Sequence, residues 1–205
     1  VDSALGLPIP RVWFINESET QLVQVQSNAF YFNWRNRQKD DEYPRFETIQ
    51  AEFRKNVNIF LGFLKDLNLN LPVPLEYDLT YINHIPQGQG WESIDDLKNV
   101  LKDFSWAHIP NRFLPKPVNL SWQTRFPLPN ENGLLQVKLT EAKRRTDSHP
   151  LLVLELNAKG IGNEASLDKM WDWYSVAHDW IVRGFTDLTT DEIQIKNWER
   201  DDSTS

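Results

Sequence analysis

Few side chains in this sequence have chemistry to offer, and their spacing narrows what that chemistry could be. His84, His108, His149 and His178 are the only imidazoles, and no two stand as HxH or HxxxH. A metal would have to be assembled across the fold, and none is expected. The absence of cysteine removes thiolate nucleophiles, disulfides and sulfur-ligated zinc together. His178 follows Ser175 and Asp172 at helical spacing, which superficially offers a nucleophile, a base and an orienter. A reactive serine is usually presented by a strained turn, so a partly buried helix histidine is the expectation. His84 is different, because it follows Asn83 at what reads as a strand end, in TYINHIPQGQGW, just before a flexible glycine loop. Ligand contacts concentrate on such loops. With Tyr81, Asn83 and an arginine beside it, His84 could act as general base on a small anionic substrate, in a pocket at that strand end. Otherwise Asn83 and His84 satisfy backbone groups there. The carboxylate pairs, Asp40 with Asp41, Asp95 with Asp96 and Asp168 with Asp172, fall at helix starts or in charged loops, where solvation and the helix dipole account for them. No phosphate-cradling P-loop, GxSxG elbow or kinase-like set is present.

The arginines of FYFNWRNRQKDDEYPRF, residues 30–46, raise a second question. Arg35 and Arg37 alternate outward from a strand bearing Trp34, and Arg45 falls in the first turn of a long helix. A cation there opposes the helix dipole by roughly 0.3–1 kcal/mol, so a partner carboxylate or phosphate is expected. Asp41, Glu42 or Glu47 could supply it internally. Alternatively Arg11, Arg35 and Arg45 line one end of the sheet and bind an anion or an acidic surface.

The elements that must position these residues follow from hydrophobic period. RVWFI from Arg11 is β-rich, QLVQVQ from Gln21 alternates as a half-buried strand does, and AFYFNWR returns from a Ser27-Asn28 turn with Phe30, Phe32 and Trp34 on one face. After Pro44, placed in the first helical turn, Phe46, Ile49, Phe53, Val57, Phe60, Leu64 and Leu67 form one stripe of a long amphipathic helix. Leu75 to Ile85 reads as a strand, and Ser93 can cap a shorter helix with Ile94, Leu97, Leu101 and Phe104 buried. A proline-rich connection over residues 105–118 is the best internal boundary. NLSWQTRF, LLQVKLTEAKRR and LLVLELNAKG then read as three antiparallel strands, followed by a helix capped by Ser166. Trp171 and Trp173 cannot both face the core directly from that helix, whereas Trp173 and Trp180 share a side face. LVQVQ from Leu22 resembles LLQVK from Leu134, and each precedes a strand and a long helix, as in an internal duplication. The expected fold is α+β, a single domain over 1–198 with an antiparallel sheet and both long helices on one face, followed by a fraying tail over 199–205.

Composition bounds the partners. With 205 residues, 40% hydrophobic, and nine tryptophans, the chain can bury a substantial core. No apolar run approaches the ~20 residues of a membrane helix. The expectation is a soluble, cytoplasmic protein with no membrane partner and no cofactor. A formal charge of −7 disfavours nucleic acid, which would have to rely on Lys143-Arg144-Arg145 and the Arg35 to Lys39 region. The opening VDSALGLPIP, with no initiator Met and little lead-in to a strand, reads as the remainder of a longer N-terminus.

RVWFINESETQLVQVQSNAFYFNWR, YPRFETIQAEF, YINHI and AHDWIVRGFTDLTTDEIQIKNWER together resemble a sporadically distributed family of uncharacterised prokaryotic proteins. The resemblance covers most of the chain and implies no reaction, cofactor or catalytic residue. Its sporadic distribution implies a defence or mobile-element setting. The function expected is a non-enzymatic module that binds a protein partner or a small anionic ligand through Arg11, Arg35, Arg45, Asn83 and His84. The alternative is the His84-centred enzyme.

Overall fold

The computed structural model describes residues 11–37, 43–106, 109–162 and 166–198, with 196–198 described by backbone alone. The opening VDSALGLPIP, the KDDE turn, His108 and the 199–205 tail lie outside the described residues. The chain is α+β, but its strands do not join one sheet. It divides into two compact units, residues 1–72 and 73–205, each with its own antiparallel sheet and long helix. The proline-rich stretch at 105–118 lies inside the second unit.

In the first unit β1 (Val12–Ile15), β2 (Gln21–Gln26) and β3 (Ala29–Trp34) form a meander in the order β1-β2-β3. The register sets Val12 opposite Val25 and Val23 opposite Phe32, so Val12, Phe14, Val23, Val25, Phe30, Phe32 and Trp34 share one face. Helix α1 (Phe46–Asp66) lays its stripe on the β3 side of that face. Phe53 stacks on Phe30 and Phe32 at 6.1 and 6.2 Å, and Phe60 on Phe30 at 5.2 Å. Pro44 precedes the N-cap residue Arg45 instead of entering the first turn, and Arg45 offers the helix no side-chain cap.

In the second unit β4 (Glu76–Pro86), β5 (Ser121–Pro127), β6 (Leu134–Lys143) and β7 (Pro150–Ile161) take the order β4-β7-β6-β5. Strand alternation sends Leu152, Leu154, Leu156 and Ala158 of β7 to one face, beside Leu135, Val137 and Leu139 of β6, and all are essentially inaccessible. Helix α2 (Leu167–Leu188) covers this face with Met170, Tyr174, Ala177 and Ile181. Each aliphatic side chain buried there contributes roughly 1.5–3 kcal/mol. Ser166 caps the helix by accepting from the Lys169 amide. A short 3₁₀ helix, Ile94–Asn99, and α3 (Asp191–Trp198) complete the unit.

Each unit contains a three-strand meander followed by a long helix, β1-β2-β3 before α1 and β5-β6-β7 before α2, but in the second unit β4 and the 3₁₀ helix come first and β4 joins the sheet beside β7. The Leu22 and Leu134 runs each lie on the middle strand of their meander.

The two tryptophans expected to compete for the core are both buried, Trp171 at 5% and Trp173 at 6% exposure. Gly160 on β7 makes this possible. A Cβ there would stand 2.2 Å from Trp173 Nε1, so the bare backbone leaves the ring its seat. The indole N–H then donates to Asn132 O at 2.8 Å, and Tyr77 packs on the ring at 5.4 Å. Tyr174, beside it, has its phenol pushed well above the usual range, chiefly by burial.

Candidate functional site

The sequence-derived candidates are placed by local geometry, and most of them separate. Arg11 extends β1 and donates from Nε to Gln26 Oε1 at 3.2 Å. Arg35 leaves β3 at the other end of the same sheet, where its amide donates to Thr20 O and its Nε to Glu19 O. Arg11 and Arg35 therefore do not line one end of the sheet: β2, antiparallel to both neighbours, puts about its own length between them. Arg35 and Arg37 instead converge on the Glu19 carboxylate, at 3.7 and 2.5 Å. Arg45 is exposed at the start of α1, and its side chain has no ion pair among the described residues. The edge-to-face pair of Trp34 with Tyr43, 5.1 Å between centroids, draws together the two ends of the segment that Arg35 and Arg45 flank.

Asn83 and His84 are inside β4, not at its end, and being consecutive they point to opposite faces. Asn83 lies on the helix-covered face with Tyr81, donating to Leu154 O at 3.4 Å. The Tyr81 hydroxyl is 3.0 Å from His178 Nδ1 of α2. Ser175 Oγ donates back along its own helix to Trp171 O. His84 is exposed on the polar face, opposite Val153. On that face Asn157, only 5% exposed, donates to Asp78 Oδ1 at 2.8 Å and to Thr80 Oγ1 at 2.6 Å. A His84 site completed by Tyr81 and Asn83 is therefore not assembled, because the two-residue period of the strand divides its members.

The glycine loop after β4 is a hydrogen-bonded turn rather than a flexible lip. Gly88 and Gly90 take positive φ, 91° and 84°, the Gly88 amide donates to Trp91 O, and buried Trp91 donates from its indole to Ile85 O. Among the Lys143-Arg144-Arg145 cations, Arg144 is engaged by Asp147 at 2.9 Å. Asp147 also accepts from the His149 amide, which together with Arg144 holds its carboxyl below the usual range. Among the described residues no group of three His, Asp or Glu side chains could hold a metal, and no helix is long and apolar enough to cross a membrane.

A cleft of about 350 Å³ in the second unit contains none of the expected residues. Phe126 of β5, Leu135 of β6 and Trp180, Gly184 and Leu188 of α2 give it an apolar floor. Asp103, Asp179 and Asp187 stand on its rim with one cation, Arg183, whose Nε donates to Asp179 at 2.8 Å. Lys102, next to Asp103, is turned to Thr186 O and the Asp191 carboxylate. The rim thus carries two negative charges beyond its internal pair. Two stripes on α2 build this wall, Asp179, Arg183 and Asp187 at every fourth residue and Trp180, Gly184 and Leu188 one position on. Both stripes are visible in the sequence; what sequence reasoning lacked was that Phe126 and Leu135 lie across from them.

No family model, curated protein or solved structure matches the chain.

Proposed function

We propose that the chain is a non-enzymatic binding module whose second unit seats a basic amphipathic segment of a protein partner in the cleft between α2, β5 and β6. The observation that carries this reading is one wall of the cleft, where an apolar stripe including Trp180 runs beside a carboxylate stripe whose cation, Arg183, is already paired. An apolar anchor on the partner would meet Phe126, 37% exposed, and Trp180, while a lysine or arginine next to it would meet Asp187 or Asp103. The volume falls within the range of ligand-binding clefts, roughly 300–1,000 Å³. The partner's charge is opposite to the one expected from the arginines, since Arg35 and Arg37 are engaged by Glu19. A defence or mobile-element locus in a prokaryote is the setting we propose for the module, and its support is the resemblance in sequence; the genes flanking the locus test it.

Fluorescence anisotropy with a labelled peptide of alternating leucine and lysine pairs, against the same peptide with glutamate for lysine, tests the cleft. The basic peptide should bind, with an affinity that falls as salt rises. Asp103→Asn with Asp187→Asn should weaken it by roughly two- to thirty-fold, since an exposed pair contributes about 0.2–1 kcal/mol. Equal binding of the acidic peptide, or no loss in the double variant, would refute the reading.

A further inference from the structure

The cleft of the second unit selects among cations by more than charge. Its floor is made by Phe126, Leu135, Trp180, Gly184 and Leu188, and no side chain among these accepts a hydrogen bond, since an indole N–H only donates. The carbonyls of Trp180 and Gly184 are taken up inside α2. Carboxylates stand only on the rim, and of the three there Asp179 already accepts from Arg183 Nε at 2.8 Å. A lysine ammonium brings three N–H donors and a tight hydration shell. Placed on this floor, it would reach a rim carboxylate with some of its donors while the others lost water and gained no acceptor. The rings offer a different attraction. Phe126 is 37% exposed and Trp180 half-buried, so both leave ring surface open to the cleft, and an aromatic face attracts a cation without requiring a donor from it.

We propose that the cation seated between α2, β5 and β6 is a quaternary ammonium, carried by the partner segment as a trimethylated lysine. This assignment rests on the cleft being the seat of a basic segment, as proposed above. A trimethylammonium group keeps the full charge, has no N–H to satisfy, and covers the charge with methyl groups. One group therefore supplies the apolar anchor and the cation together. Its methyls meet the rings of Trp180 and Phe126, while Asp103 and Asp187 attract it from the rim. Gly184, one helical turn after Trp180, adds no side chain to the floor, which keeps room for the methyls within a cleft of about 350 Å³. The carboxylate stripe from Asp179 to Asp187 spans eight residues of α2, about 12 Å, which is longer than one ammonium group and matches a side chain together with its flanking segment.

Fluorescence anisotropy with the labelled leucine-lysine peptide, unmodified and with its lysines trimethylated, reads the preference directly. Trimethylation should tighten binding by about two- to five-fold, the range of a cation–π contact at a partly exposed ring. A peptide carrying the neutral tert-butyl isostere should bind more weakly than the trimethylated one. Trp180→Leu keeps an apolar side chain but removes the ring, and should erase the preference, whereas Trp180→Phe should retain part of it. Phe126→Leu, at a partly exposed position of β5, gives the same test if circular dichroism shows that Trp180→Leu does not fold. Asp103→Asn with Asp187→Asn should weaken both cationic peptides alike and leave their ratio unchanged. Equal affinity for the two cationic peptides overturns the quaternary assignment and leaves the basic segment standing, as does a neutral isostere that binds as tightly as the trimethylated lysine but no tighter than the unmodified one. Choline that binds as tightly as the trimethylated peptide, at ionic strength matched with sodium chloride, overturns the assignment to a protein segment. Binding by neither cationic peptide removes both proposals.

Discussion

Gly184 lies in the last two turns of α2 and on the wall of the cleft, and the choice of glycine there can be weighed in free energy. In a helix interior glycine is less favourable than alanine by about 0.8–1.0 kcal/mol, somewhat less near a helix end. A Cβ at this position meets one neighbour, Leu135 Cδ2, at 3.2 Å. That atom is the terminal methyl of a branched side chain, and a shift of a few tenths of an ångström relieves the contact at a cost below the propensity gain. Gly184→Ala should therefore stabilise the second unit by about 0.5 kcal/mol, raising its melting temperature by roughly 1–2 °C for a chain of this size. Every tryptophan except Trp13 and Trp34 belongs to the second unit, so urea denaturation followed by tryptophan fluorescence reports on it. Gly184→Leu, which extends further into the cleft, should lower the affinity for the basic peptide by at least roughly ten-fold, an occupied seat costing about 1.4 kcal/mol or more. If Gly184→Ala instead destabilises by more than about 1 kcal/mol, Leu135 cannot give way. The cleft would then be a packed seam held open by nothing, and the reasoning that made it a binding site would be wrong.

Gly160→Ala should be costly, because its Cβ would displace the Trp173 ring and break the indole hydrogen bond to Asn132; overpacking and a lost buried bond together predict about 2–5 kcal/mol by urea denaturation, and a loss under about 0.5 kcal/mol would contradict the packing described. Arg45→Ser should stabilise α1 by about 0.5–2 kcal/mol, since serine caps and arginine opposes the dipole; an unchanged melting temperature would show that Arg45 already has a compensating partner. Asp96 accepts from the Glu92 amide, then from the Ser93 amide and hydroxyl, and these bonds outweigh the opposing effect of burial and hold its carboxyl below 3.8. Its contribution is therefore fully present above the unfolded value and disappears as pH falls through the folded one. The stability advantage of the wild type over Asp96→Asn should be constant from neutral pH down to about 4 and shrink below it, and an advantage that stays unchanged below about pH 4 would rule out the charged cap.

The sequence made legible whatever depends on near neighbours in the chain. The intervals of three and four from Phe46 to Leu64 define the face of α1 that meets the sheet, and alternation places Phe30, Phe32 and Trp34 together. The same alternation separates His84 from Asn83, and applied to YINHI it dissolves the acid/base site on the strength of the strand period alone. Partition into two sheets was not legible, because a period of two fixes the face of a residue but not the neighbour of a strand. Burial of both Trp171 and Trp173 depends on Gly160, more than ten residues earlier on another element, and no local pattern in the helix announces it.

The cleft shows why chemistry-bearing residues can mislead. Histidines and arginines draw attention by type, yet here Arg35 and Arg37 are held by Glu19 and His178 by Tyr81. The aspartates at 179 and 187 look like the ordinary solvated side of an amphipathic helix, and on an isolated helix they would be. Their meaning changes only because Trp180 and Gly184 beside them are incompletely covered, with Phe126 left partly open across from them. Carboxylates bordering apolar surface are less solvated than carboxylates in open water, so a cation that brings an apolar anchor with it gains from both features at once. A lysine without the anchor would gain little more than any exposed pair, and an apolar group without the charge would have no reason to prefer this patch. In the proposed module this joint requirement would give the cleft its specificity and separate it from the other exposed aspartates on the surface of the second unit.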